Sequence, residues 1–182
     1  MATGGTASRA TAPRKSGSKK TTQASYGGLD VDSIKTAYTV ALETRASIVS
    51  AMNLKTRGEG VEFWIGGPGE EIHGVATALA CDHVVRQELE TPGDLAFFCH
   101  YRSDALAAMT TLLRGNTNFT RDYFRQALSR ATDPHSGGRQ MIMHLCMPDV
   151  GIMPVQSPVG MQLRKAAGYA RGLQLLNRPG VA

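Results

Sequence analysis

The stretch CHYRSD (99–104) places a hydroxyl and a guanidinium, Tyr101 and Arg102, at the end of an apolar run and directly before a helical pattern. In open α/β sheets, ligands settle beyond the carboxyl ends of strands. An arginine there, beside the free N–H groups that open a helix, suits a polyanion such as a diphosphate. The competing reading is an arginine neutralised locally, with Asp104 the nearest carboxylate. A second such place is VQSPVGMQ (155–162), where Pro158 and Gly160 precede a helix and leave main-chain groups free to meet a flat heterocycle. His144 lies in an irregular segment between glycine-rich loops, where functional groups often collect. Its position leaves open whether it faces a site.

Two other stretches look reactive and read as structural. FWIGGPGEEIHG (63–74) has the glycines of a phosphate cradle but no lysine, no GxGxxG and no GK[ST]. Glu70 and Glu71 suit a helix N-terminus and would repel a phosphate, so the stretch reads as a bend into a helix. Each cysteine stands within two residues of a histidine: Cys81 with His83, Cys99 with His100, Cys146 with His144. Zinc needs four converging ligands, usually from CxxC-like knuckles, and no such knuckle is present. Cys99 and His100 are adjacent in an expected strand and point to opposite faces. Nothing marks an activated cysteine nucleophile either.

The elements that position these groups follow from periodicity. A first helix is expected from Ser33 to Arg57, capped by Asp32, closed by Gly58 and buried along Ile34, Tyr38, Ala41, Ile48 and Met52. VEFWI (61–65) reads as a short extended piece. A second helix runs from Pro68 or Gly69 to Glu88, with Ile72, Ala76, Leu79 and His83 on one face. TPGD (91–94) is a turn, and LAFFCHY (95–101) is a strand covered on both faces. Helices follow over 103–115 and 120–131, and then a loop, DPHSGGRQ. A last helix spans 161–176, with Leu163, Ala166, Ala167, Ala170 and Leu173 inward. NRPGVA reads as a turn leading into a strand, and the ending suggests a chain truncated from a longer parent.

Composition sets the frame. The chain has 182 residues and is 42% apolar, which fits one domain with a tail. The net charge of +5 resides in residues 1–29, which carry Arg9, Arg14, Lys15, Lys19 and Lys20 and no acid. The remainder, residues 30–182, is balanced. This basic tail lacks large apolar residues before Leu29 and is expected to be disordered. It lacks the amphipathic face of a mitochondrial transit peptide. Three cysteines fit a reducing compartment with free thiols. No apolar run approaches a membrane span.

Taken in order, GGPGEE, HYRSDALAAM with LLRG, SGGRQMIMH and SPVGMQLRKAAGYARGLQL resemble the alpha subunit of the thiamin diphosphate-dependent 2-oxo acid dehydrogenases, over about residues 34–182. The branched-chain type, or its fused alpha–beta bacterial form, is the most similar, with the pyruvate type beside it. The resemblance implies the first part of a three-layer helix–sheet–helix α/β domain with a mostly parallel sheet, over 30–182. It implies a role in oxidative decarboxylation of a 2-oxo acid and acyl transfer to a lipoyl group, as the decarboxylating oxidoreductase of a dehydrogenase complex. The implied partners are a beta subunit or beta portion in an alpha2beta2-type assembly and the lipoyl acyltransferase core. The implied setting is the bacterial cytoplasm, with the mitochondrial matrix as alternative.

The same resemblance gives the diphosphate contact to Tyr101 and Arg102 and the aminopyrimidine contact to backbone around Ser157 and Val159. It places His144 by the cofactor channel. Some members bind potassium through the same loop. Here that implies the carbonyls of Gln156 and Pro158 together with Gln162, while Met161 stands where a threonine ligand is common. The family's magnesium–diphosphate motif, G-D-G followed by paired asparagines, does not occur in this sequence and would fall after Ala182. These 182 residues alone are therefore expected to be inactive. Two further classes stay open on residues alone: a small zinc-stabilised module and a basic-tailed nucleic-acid binder.

Overall fold

A computed structural model describes residues 25–26, 28–89 and 93–182. The disordered tail expected over 1–24, and residues 91–92 of the expected turn, lie outside them. Ser25–Tyr26 (β1) pairs antiparallel with Leu29–Asp30 (β2), so a small hairpin closes the stretch assigned to the tail.

Helix α1 spans Val31–Arg57. Its N-cap is Asp30 and not Asp32. The Asp30 carboxylate accepts from the Ser33 N–H at 2.7 Å, while Asp32 sits inside the first turn. Gly58, at φ 70°, closes the helix by donating to Leu54 and Lys55 carbonyls, as its position predicts. The buried stripe is Val40, Ala41, Thr44, Ser47, Ile48 and Ala51. Tyr38 and Met52, expected inside, are exposed. Thr44 and Ser47 can be buried because their hydroxyls donate back to the Val40 and Glu43 carbonyls.

Helix α2 covers Glu71–His83 and loosens into a π-type turn at Val84–Glu88, so the helical stretch ends where expected but not as a regular α-helix. Its inward face is Glu71, Gly74, Val75, Ala78 and Asp82. The expected face is largely wrong, since Ile72 is 62% exposed. The reason is packing distance. A Cβ on Gly74 would stand 2.7 Å from the Leu106 amide nitrogen, so small residues let α2 lie against the next helix. The inward acids are neutralised in place. Arg45 holds Glu71 with two nitrogens, at 2.5 and 2.7 Å, and Arg86 meets Asp82 at 2.8 Å.

Asp94–Leu95 (β3) is the hub of a small parallel sheet. On one side it pairs with Gly180–Val181 (β4), where the Asp94 and Ala96 N–H groups donate to the Pro179 and Val181 carbonyls, both at 2.9 Å. On the other side Phe97 bridges in parallel to Ile152, with Met153 N–H donating to Phe97 at 2.9 Å. Leu95, Ala96, Phe97 and Cys99 are buried, in keeping with a covered strand, although regular pairing stops at Phe97 and not at Tyr101. Gly151 makes the approach possible. It sits at φ 87°, and a Cβ there would meet the Leu95 carbonyl oxygen at 2.5 Å.

Helix α3, Asp104–Leu113, is buried without interruption from Asp104 to Thr111, the pattern of a helix enclosed on all sides. Helix α4, Phe119–Ala127, stops four residues before the expected end, where Leu128 leaves the helix and Ser129 turns at φ 49°. Helix α5, Met161–Leu175, has the expected limits, but only Leu173 is buried, and Leu163 is 74% exposed. Of the face expected to point inward, Leu173 is buried, Ala166 and Ala170 are half-buried, and Leu163 and Ala167 are exposed among the described residues. The whole is a mixed helical structure with a small parallel sheet. No helix among the described residues is long and apolar enough to cross a membrane.

Candidate functional site

At the end of the covered strand the chain turns sharply, and Ser103 N–H donates to the His100 carbonyl at 3.2 Å. The His100 ring steadies this turn. Its Nδ1 accepts from the Arg102 N–H at 3.0 Å, and its Nε2 lies 3.5 Å from Glu70. The glycine-rich bend packs underneath. A Cβ on Gly67 would lie 2.7 Å from the Arg102 Cβ. GGPGEE is thus a bend that supports Arg102 and opens α2, as its lack of a lysine implies. Here Glu71 also accepts from the Gly69 N–H at 3.0 Å.

Arg102 is exposed, and its guanidinium carbon stands 4.9 Å from the centre of the Tyr101 ring, a cation–π contact. Among the described residues no carboxylate lies within ion-pair distance of it. The local pairing with Asp104 does not form, because both Asp104 oxygens are buried without a hydrogen-bond partner. Burial pushes Asp104 up to about 7, aided by Glu71 and Glu70 and opposed by Arg102. A cation is therefore held out toward solvent on an aromatic face. Beside it opens a cleft of about 190 Å³ lined by Glu70, His73, Phe98, His100, Arg102 and Ser103.

On its far side Tyr101 faces His144, ring parallel to ring within 9° and centres 6.2 Å apart. His144 is buried, and its Nε2 stands 2.5 Å from the Ser157 Oγ. Its Nδ1 is 3.2 Å from the Ile142 carbonyl. A carbonyl only accepts, so Nδ1 carries the proton, and in the neutral ring Nε2 accepts from the serine hydroxyl. His144 and Ser157 meet because the segment between them folds back on itself. Met147 and Ile152 exchange two backbone hydrogen bonds, at 2.9 and 3.0 Å, around the short 3₁₀ turn Pro148–Val150. Val155 N–H then reaches the Leu145 carbonyl at 3.0 Å.

Tyr101, Arg102, His144 and Ser157 are thus neighbours in a row. Val159 is 88% exposed, two residues before α5. The loop residues Gln156 and Gln162 do meet, the Gln162 amide nitrogen donating to the Gln156 carbonyl at 3.2 Å. Pro158 offers its carbonyl to the Met161 N–H at 3.4 Å. In this arrangement the Gln162 amide nitrogen, and not its oxygen, faces the Gln156 carbonyl.

Two of the thiols, Cys99 and Cys81, are held away from the thiolate form. Burial pushes Cys99 up to about 12 and also raises Cys81. Among the described residues no group of three or more His, Cys, Asp or Glu is placed to hold a metal ion. Sequence reasoning missed two buried polar residues, one that orders a loop and one that holds the backbone at His144. Asp133 organises DPHSGGRQ by accepting from His135 N–H, Ser136 N–H and Ser136 hydroxyl at 2.9, 3.1 and 2.6 Å. Burial works against its ionisation, but these bonds prevail and hold its carboxyl below the ordinary value. Gln126 is buried on α4 beneath His144. The only signal was spacing, since Asp122, Tyr123 and Gln126 share one helical face.

No family model matches the chain, and no curated protein matches it.

Proposed function

We propose that this chain is the alpha portion of a thiamin diphosphate-dependent 2-oxo acid dehydrogenase of the branched-chain or pyruvate type, and that the row Tyr101–Arg102–His144–Ser157 forms its share of the cofactor site. In this reading the small parallel sheet and its helices belong to the first part of a three-layer α/β domain. The supporting observation is the convergence of residues from well-separated segments on one lip at the end of the covered strand, with Arg102 in no ion pair with a carboxylate among the described residues. That arrangement fits a diphosphate. Arg102 offers N–H donors and a full charge, Tyr101 adds a hydroxyl, and the raised Asp104 withholds a competing negative charge near neutral pH.

Thiamin diphosphate, when bound, supplies the carbanion chemistry that decarboxylates a 2-oxo acid. The residues here bind and orient. Arg102 and Tyr101 hold the anionic end, and backbone around Ser157 and Val159 meets the aminopyrimidine. His144 keeps a neutral Nε2 lone pair at the channel. Magnesium ligands, the activating glutamate, a beta portion and the lipoyl core come from outside residues 1–182. Potassium, where bound, would be held by the Gln156 and Pro158 carbonyls with Gln162, whose amide nitrogen here donates to Gln156.

The test is a titration of the chain with inorganic diphosphate and with thiamin diphosphate, followed by NMR. One charge-assisted contact is worth roughly 1.5–3 kcal/mol, so binding no tighter than about millimolar is expected. Shifts at Tyr101, Arg102 and His144 support the reading. Shifts confined to other residues overturn it.

A further inference from the structure

We infer that Gln126 is a positioning residue for His144, holding the ring in the Nδ1–H tautomer that leaves Nε2 for Ser157. The Gln126 side chain is 1% exposed and grips the backbone on both sides of one peptide unit. Its Oε1 accepts from the Met143 N–H at 2.7 Å, and its Nε2 donates to the His144 carbonyl at 3.2 Å. Between these contacts Met143 adopts φ 61°, a conformation that residues with side chains rarely hold unless their surroundings impose it. Met143 is itself buried, so water cannot replace the two bonds.

The consequence reaches the imidazole through the turn. With Met143 in the left-handed region, the Ile142 carbonyl points back to the His144 Nδ1 at 3.2 Å. That carbonyl fixes the proton on Nδ1. Released from the clamp, Met143 would relax toward negative φ and the Ile142 oxygen would swing away. The ring would then follow the ordinary preference of neutral histidine for a proton on Nε2, and the acceptor facing Ser157 would be lost. Among the described residues the Gln126 side chain hydrogen-bonds to neither Ser157 nor Tyr101, and its two bonds go to the backbone of Met143 and His144.

The experiment needs no cofactor, so its outcome is separate from that of the cofactor reading. Long-range ¹H–¹⁵N spectra of the labelled chain report which His144 nitrogen is protonated. The unaltered chain is expected to show Nδ1–H. Gln126→Met keeps the volume and removes both bonds, and the two ring-nitrogen signals are expected to exchange places. Gln126→Glu keeps the acceptor for Met143 N–H and loses the donor, giving a mixture. Ile48→Ala, a core truncation on α1, controls for loss of stability and is expected to leave the tautomer unchanged. An Nε2–H ring in the unaltered chain overturns the inference. So does an unchanged Nδ1–H ring in Gln126→Met, or an equal change in Ile48→Ala. If Gln126→Met fails to fold, Gln126→Glu decides alone, and a fully retained Nδ1–H signal there refutes the role.

Discussion

Asp104→Asn should stabilise the protein strongly at pH 8 and markedly less at pH 5. Asp104 is 1% exposed, both its oxygens lack partners, and its carboxyl is pushed from the ordinary 3.8 to about 7. Burial is the main cause, and Glu71 and Glu70 add to it, while its own backbone N–H and Arg102 pull the other way. A raised carboxyl pKa means that the folded state keeps a proton which the unfolded state releases. Stability therefore falls as pH climbs from about 4 to about 7 and levels off above. At about 1.4 kcal/mol per pKa unit the full effect is on the order of 4 kcal/mol. Asparagine is neutral throughout and close in shape. At pH 5 it resembles the protonated acid, and at pH 8 it removes the buried charge. Even half the effect, about 2 kcal/mol, raises the melting temperature by about 4–8 °C in a domain of this size. Thermal unfolding of both proteins at pH 5 and pH 8 decides it, since the titrating groups not coupled to Asp104 cancel in the difference. A melting difference that is the same at both pH values, or a loss at pH 8, would refute the reasoning.

Other perturbations follow from the same contacts. Glu71 titrates below its ordinary value because Arg45 hydrogen-bonds it, against the pull of burial. The stability this pair gives is present above about pH 4.5 and fades as pH falls through the lowered pKa, so Arg45→Met should lower the melting temperature at pH 7 and have little effect near pH 3. Gly67→Ala would press a methyl against the Arg102 Cβ, 2.7 Å away, and should cost about 1–3 kcal/mol in denaturant unfolding while displacing Arg102. Tyr123→Phe removes a buried hydroxyl that has no partner and should leave stability unchanged or raised by about 1 kcal/mol; a loss above that would reveal a bond to the hydroxyl.

The legible parts of the fold are those where a local rule decides. Gly58 ends α1, Gly115 follows the end of α3, and the strand expected to open at VA is present one residue earlier, at Gly180–Val181, paired with Asp94–Leu95. The burial of α2 and α5 was not legible. On α2 the inward positions carry Glu71 and Asp82, which periodicity assigns to solvent. They are buried because arginines from distant positions, Arg45 and Arg114, complete them. On α5 the apolar face exists but only its C-terminal end, at Leu173, is buried among the described residues, so the pattern located the face but not its degree of burial. The site divides in the same way. Tyr101 and Arg102 were visible as a strand end before a helix. The bond between His144 and Ser157 depends on a folded-back irregular segment and a positive φ at Met143, which no residue spacing reveals.

The most direct test of the cofactor-site reading is the diphosphate titration repeated on Arg102→Ala and Arg114→Ala. Arg114 closes α3 and lies 3.4 Å from Asp82, so it is committed elsewhere and controls for loss of one positive charge. The account predicts that shifts at Tyr101 and His144 on adding thiamin diphosphate persist in Arg114→Ala and vanish in Arg102→Ala. Equal loss in the two variants, or shifts that survive in Arg102→Ala, would contradict it.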